Sequence, residues 1–131
     1  MSNPAPGFAR YPHHRVVANP TPQHVRALVG DTVIADSRAT LLVEESRHDP
    51  VWYFPPDDVD EQHLLPTATS TYCPFKGHAS YWSIQAQGET LEDAVWAYLE
   101  PFDECQALTG YYAFYPDRVR LEVAGEPWPQ A

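Results

Sequence analysis

Fourteen prolines spread along 131 residues restrict this chain to short segments. A proline inside a helix removes a backbone hydrogen bond and drives its ring into the preceding turn, at a cost of about 3 kcal/mol. The aromatic content points the same way, since eight Tyr, four Trp and five Phe against a single Met suit the pleated, half-buried surface of a sheet. The expectation is a mainly β fold with at most one or two short helical turns. The length allows one domain with a proper core and is too short for two.

Residues 1–22 carry Pro4, Pro6, Pro12, Pro20 and Pro22 with little periodicity, and read as an arm, loose or laid across the domain surface. His13, His14 and Arg15 within it suggest a metal or phosphate site. Neighbours on an extended chain point to opposite faces, however, which favours a solvated arm. The domain proper then runs over 23–124, and 125–131 is a tail. Its first unit is a hairpin, with 25–29 and 32–35 flanking Gly30-Asp31, a two-residue turn signal. After a turn at Asp36-Ser37-Arg38, residues 39–44 alternate, Leu41 and Val43 on one face and Leu42 and Glu44 on the other. Glu44 is thereby either a pocket-facing carboxylate or an exposed edge residue.

The apolar run 51–54 is stopped by Pro55-Pro56, and the acids of 57–61 open one or two helical turns reaching Leu65. Carboxylates suit that position. Capping is preferred there over magnesium binding by Asp57, Asp58 and Asp60, because the spacing and glycine of a calcium loop are missing. Residues 66–71 read as a small-residue loop. Residues 79–85 read as a strand with Tyr81 and Ser83 on one face and Trp82 and Ile84 on the other. Thr90 to Asp93 has the look of a capped helical start, whereas 94–99 reads as a strand with Ala94, Trp96 and Tyr98 on one side. Residues 111–115 and 118–123, joined by Pro116-Asp117, read as a closing hairpin.

Reactive groups concentrate at Cys73-Pro74-Phe75-Lys76-Gly77. Pro74 biases Cys73 to an extended backbone, Gly77 permits the positive φ of a tight reversal, and a nearby ammonium favours thiolate over thiol. A formal charge of −10 argues against a nucleic-acid or anionic-membrane surface as the main working face. The start of the chain lacks the hydrophobic centre of a secretory signal. A cytoplasmic protein with Cys73 and Cys105 as free thiols is expected.

Several of these signals, in order, carry a resemblance: Gly30 through Ala35-Asp36-Ser37-Arg38-Ala39, Glu44, Tyr53-Phe54-Pro55 with Asp58-Val59, Cys73 to Gly77 with Ala79 and Tyr81, Ala94, Trp96, Tyr98 and Pro101, then Gly110-Tyr111 with Ala113-Phe114-Tyr115. Over roughly residues 24 to 123 the chain resembles the domain of unknown function 427 family, also filed under a nucleotidyltransferase-like name. The resemblance implies a β-tent, two antiparallel sheets meeting at an angle. It also implies kinship with zinc-binding relatives, among them drug- and nucleoside-binding modules with aromatic cages. The Cys-x-x-Cys knuckles of those relatives are missing here, so no metal or other cofactor is expected.

Three functions follow from these residues. The first is a binding module with a pocket between the sheets, walled by Tyr53, Tyr81, Trp96 and Tyr98 and supplied with polar contacts by Arg38, Glu44, Asp58 and Lys76, for a heterocyclic or nucleoside-like small molecule. The second is an enzyme, a transferase or hydrolase, with Cys73 as nucleophile, Lys76 as its activator and Glu44 or Asp58 as acid or base. The third is a structural or interaction domain in which Arg38, Glu44 and Lys76 brace the sheets. A monomer or homodimer is expected.

Overall fold

In a computed structural model that describes residues 2–129, eleven strands form two antiparallel sheets. The large sheet holds β1 (Val16–Pro20), β4 (Leu41–Glu45), β5 (Val51–Phe54), β6 (Leu64–Cys73), β7 (Gly77–Ala86), β8 (Glu89–Ala97) and β9 (Tyr112–Phe114), in the order β1-β4-β5-β9-β8-β7-β6. The small sheet holds β2 (Val25–Val29), β3 (Thr32–Ser37), β10 (Arg120–Val123) and β11 (Glu126–Trp128), in the order β11-β10-β2-β3. Helical structure among the described residues is confined to one four-residue turn, α1 (Gly7–Arg10), and short 3-10 stretches at Pro56–Asp58, Glu61–His63 and Asp103–Leu108. No helix of the described residues is long and apolar enough to cross a membrane. The mainly β, two-sheet architecture is the one expected.

The period of two along each strand sorts the large sheet into two buried faces. One meets the small sheet: Trp52, Phe54, Ile84, Val95, Ala97 and Phe114 form a single cluster with Val25, Ala27, Ile34, Val119 and Leu121. The other presents Leu41, Val43, Tyr53, Ala79, Tyr81, Tyr98 and Ala113, which pack with Cys105 and Leu108 of the last 3-10 stretch. Gly77 turns the chain from β6 into β7 at φ +122°, a backbone that a side chain rarely adopts.

Several segments depart from the sequence expectation. Val16–Pro20 does not belong to an arm; it is an edge strand of the large sheet, paired from Val16↔Glu45 to Pro20↔Leu41. The edge position tolerates Pro20, which has no N–H to give to a ladder. The stretch 66–71 is strand β6 rather than loop, because Thr67 and Thr69 are β-branched residues whose hydroxyls donate to the Asp93 carboxylate at 2.6 Å each. Residues 90–93 extend β8 instead of starting a helix. Leu91 pairs with Ile84 and Thr90 with Gln85, and this cross-strand partnership outweighs the local capping signal. Of the expected strand 94–99, 94–97 is strand, and Ala94 packs with the inter-sheet cluster rather than on the side of Trp96 and Tyr98 because Asp93 at φ +50° breaks the alternation. Nor do β9 and β10 form a hairpin. β9 pairs with β5 and β8 and β10 with β2 and β11, the turn at 115–119 carrying the chain from one sheet to the other. Of the expected tail, 126–128 is strand β11, and residues 130 and 131 lie outside the described residues.

The first residues are bound down over the elbow at 73–77. The Gly7 N–H donates to the Pro74 carbonyl at 2.9 Å. Asn3 and Ala5 N–H groups donate to the Asp103 and Glu104 carboxylates, and Phe8 meets Phe75 edge-on at 4.9 Å. A Cβ on Gly7 would lie 2.6 Å from the Phe75 ring and 2.9 Å from the Pro74 carbonyl oxygen. Gly7→Ala is therefore expected to cost about 1–2 kcal/mol through overpacking and to open residues 2–14 to limited proteolysis. Unchanged thermal unfolding and cleavage would show that the contact yields freely.

Candidate functional site

Leu41, Tyr53, Ala113, Trp96 and Tyr81 are successive cross-strand partners on β4, β5, β9, β8 and β7. Direct partners share a face, so register alone lays a row of aromatic groups around one alanine on the side of the large sheet turned away from the small one. Val43 and Val51 form the next pair. Tyr53, Tyr81, Trp96 and these two valines, with Tyr98, Tyr115, Glu45, His48, Asp49 and Lys76, line a cavity of about 370 Å³. The rings hold each other in place: Trp96 Nε1 donates to the Tyr53 hydroxyl at 3.2 Å, and Trp96 lies 4.5 Å from Tyr115, centroid to centroid. The Tyr81 hydroxyl is bonded to those of Thr71 at 3.0 Å and Tyr115 at 3.3 Å. Burial pushes the Tyr53, Tyr98 and Tyr115 phenols above their ordinary value. They stay neutral at physiological pH and act as hydrogen-bonding groups, not bases.

One end of the cavity is charged. Glu45 closes β4 two residues after Val43, on the same face, and its side chain is 7% exposed. Lys76, from the elbow and 11% exposed, donates to Glu45 Oε1. His14 Nε2 lies 2.8 Å from Glu45 Oε2 and His48 Nε2 3.8 Å from it. Burial by itself would raise the Glu45 carboxyl. Hydrogen bonds from Lys76 and His14 and the charges of Lys76 and His48 outweigh it and hold the group below its ordinary value, so the site contains a carboxylate. The Lys76 ammonium also lies 5.9 Å from the Tyr98 ring centroid, within cation–π reach. His14 is set by stacking flat on Phe75, 3.8 Å away and 16° from parallel.

Of the residues expected at the site, Tyr53, Tyr81, Trp96, Tyr98 and Lys76 are brought together. Glu44 is not: it shares the opposite face with Leu42, is exposed, and accepts from Asn19 Nδ2 at 2.9 Å. The pocket carboxylate is its neighbour Glu45, one step along the same alternation. Arg38 is exposed where the chain passes between sheets, and has no ion-pair partner among the described residues. Asp58 accepts from the buried Ser37 hydroxyl at 2.7 Å and braces that crossing. The cavity is not between the sheets either, because that space is filled by the apolar cluster.

Cys73 is half-buried opposite Gly77 and does not line the cavity. No base among the described residues is hydrogen-bonded to its sulfur; Lys76 is engaged with Glu45, and His78 lies exposed beside Tyr72 at 4.9 Å. Cys105 is buried, donates to the Phe75 carbonyl at 3.6 Å, and burial pushes its thiol up to about 11. Sequence reasoning missed Glu45, Tyr115 and His48, and assigned His14 to a solvated arm. Glu45 and Tyr115 follow from period two, counted from Val43 and Ala113. His14 carries only the signal of its His13-His14-Arg15 cluster, and His48, from the β4–β5 turn, has no local pattern to announce it.

A family model described as Domain of unknown function (DUF427) matches residues 17–125. No curated protein matches the chain.

Proposed function

The chain belongs to the family of domains of unknown function designated DUF427, a membership that brings no chemistry with it, and we propose from the site itself that the protein binds a small planar molecule, a heterocycle of the nucleoside kind. The observation that carries this reading is that Tyr53, Tyr81, Trp96, Tyr98 and Tyr115 surround open space of about 370 Å³. Aromatic side chains on a sheet ordinarily close over one another. A volume of this size, with apolar walls and a few convergent polar groups, is typical of a small-molecule site. The faces of Trp96 and Tyr115 offer stacking, and the hydroxyls of Tyr53, Tyr81 and Tyr115 offer directed hydrogen bonds. Lys76 and Glu45 set a polar end.

Binding is favoured over covalent catalysis by Cys73, because that thiol does not line the cavity and no base among the described residues is hydrogen-bonded to it. We place the protein in the cytoplasm, in keeping with two unpaired cysteines and the reducing conditions that maintain thiols.

Calorimetric titration with nucleosides and free nucleobases tests the reading. Binding that Trp96→Ala weakens about tenfold, as loss of one stacking surface worth about 1–3 kcal/mol predicts, is the expected result. Absence of any heat or thermal shift across the panel overturns it.

A further inference from the structure

Beside the aromatic pocket runs a second, larger hollow of about 690 Å³, lined by Arg10, His13, His14, Ser46, Arg47, His48 and the rings of Tyr11 and Phe75. We infer that this groove binds a phosphate group, and that the molecule held by the aromatic pocket is therefore a phosphorylated heterocycle whose ring and phosphate occupy the two hollows together. The inference rests on the pocket reading for the ring and on the groove alone for the phosphate.

The protein has 18 acidic against 8 basic side chains, yet the charged residues of this lining are two arginines, with no carboxylate, and three histidines add ring nitrogens able to hydrogen-bond. That is a local reversal of sign, of the kind that concentrates an anion. Arg10, which lies over the Tyr11 ring at 5.6 Å, and Arg47 have no ion-pair partner among the described residues, whereas Arg26, Lys76 and Arg120 are engaged by carboxylates. Glu45, which lies 2.8 Å from His14 Nε2 and 3.8 Å from His48 Nε2, is not part of the groove wall, and its oxygens are already engaged by Lys76 and His14. Ser46 Oγ accepts from the Arg15 N–H at 2.9 Å, which leaves its own O–H able to donate. Guanidinium groups and hydroxyls are the donors that suit phosphate oxygens.

Arg47 stands in the β4–β5 turn at φ +67°, a conformation that glycine adopts without strain and arginine does not. The turn geometry therefore makes no demand for an arginine. His48, the next residue, lines both hollows, so a ligand passing it spans them without leaving the surface. The groove exists because the first residues are bound over the elbow, which also explains how His13 and His14, adjacent in sequence, come to serve one site.

Arg47→Gly separates this inference from folding, since it removes the guanidinium while relaxing the turn, and its thermal midpoint is expected to equal that of the parent. The probes are the common ribonucleosides, their 5′-monophosphates and inorganic phosphate, titrated calorimetrically at low ionic strength. At least one monophosphate is expected to bind tenfold or more tightly than its nucleoside. Arg47→Gly is expected to remove most of that gain with nucleoside affinity unchanged, and added salt to erode it. Equal affinity for nucleoside and monophosphate, or a gain that Arg47→Gly leaves intact, overturns the phosphate groove and leaves the aromatic pocket standing. Inorganic phosphate bound in an Arg47-dependent way with no nucleoside bound supports the groove and overturns the pocket reading. No binding by any probe overturns both.

Discussion

Replacing Lys76 by methionine is expected to destabilise the protein by about 2–3 kcal/mol while leaving the volume of the site nearly unchanged. Methionine fills the space of the lysine stem, so the cost belongs to Glu45, which keeps a negative charge at 7% exposure without its strongest partner. Removing one member of a buried ion pair costs about 3–5 kcal/mol; water in the cavity and the remaining histidines lower that figure here. Because Lys76 and His14 hold the Glu45 carboxyl below its ordinary value of 4.5 against the opposing effect of burial, their contribution is complete above about pH 4.5. It is lost as the pH falls through the lower folded value. Denaturation of parent and variant should therefore diverge at neutral pH and converge in acid. The double variant Lys76→Met with Glu45→Leu should recover most of the loss, as apolar replacements of whole ion pairs do, but not the polar end of the site. A single variant as stable as the parent at pH 7, with no recovery in the double, would mean the pair is fully hydrated and the charged end of the cavity is not a site of differential solvation.

Phe54→Ala is expected to cost more, about 3–5 kcal/mol, yet to leave heterocycle affinity within twofold of the parent under conditions where the variant is folded. Phe54 is fully buried and meets Phe114 edge-on at 5.3 Å and 87°, both on the face of the large sheet that meets the small one. Its neighbour Tyr53 points the other way, into the cavity. Adjacent residues on β5 thus divide between stability and binding. Urea denaturation and calorimetry on the same sample test this division. Binding lost in the folded variant would show that the two faces are coupled through the strand, and that the cavity depends on the inter-sheet packing behind it.

Much of the site was legible before any coordinates, because period two is a local property. Tyr81 on one strand and Trp96 and Tyr98 on another could each be assigned a face from their neighbours, and Gly77 marked the reversal that delivers Lys76. The same rule leads two residues on from Val43 to Glu45, whereas Glu44 lies on the other side of the strand with Leu42. Residues 66–71 illustrate a different loss, since small and β-branched polar residues suit a loop as well as an edge strand, and it is the Asp93 carboxylate on β8 that decides between them. The His13-His14-Arg15 cluster suggested a site but read as solvated, and Arg10 gave no signal, because the contacts that bind the first residues down run to Pro74, Phe75, Asp103 and Glu104, sixty or more residues away.

Alternation and the proline spacing by themselves determined a mainly β chain of short strands, and which side chains within a strand keep company. Only the tertiary structure decided to which sheet each strand belongs, and so which face became core and which became cavity. The face carrying Phe54 and the face carrying Tyr53 are equally apolar in sequence. What distinguishes them is that Val25, Ala27 and Leu121 arrive from distant strands to cover the first, whereas the second is covered only in part, by the 3-10 stretch over Cys105 and Leu108, and is left open between Trp96 and Glu45.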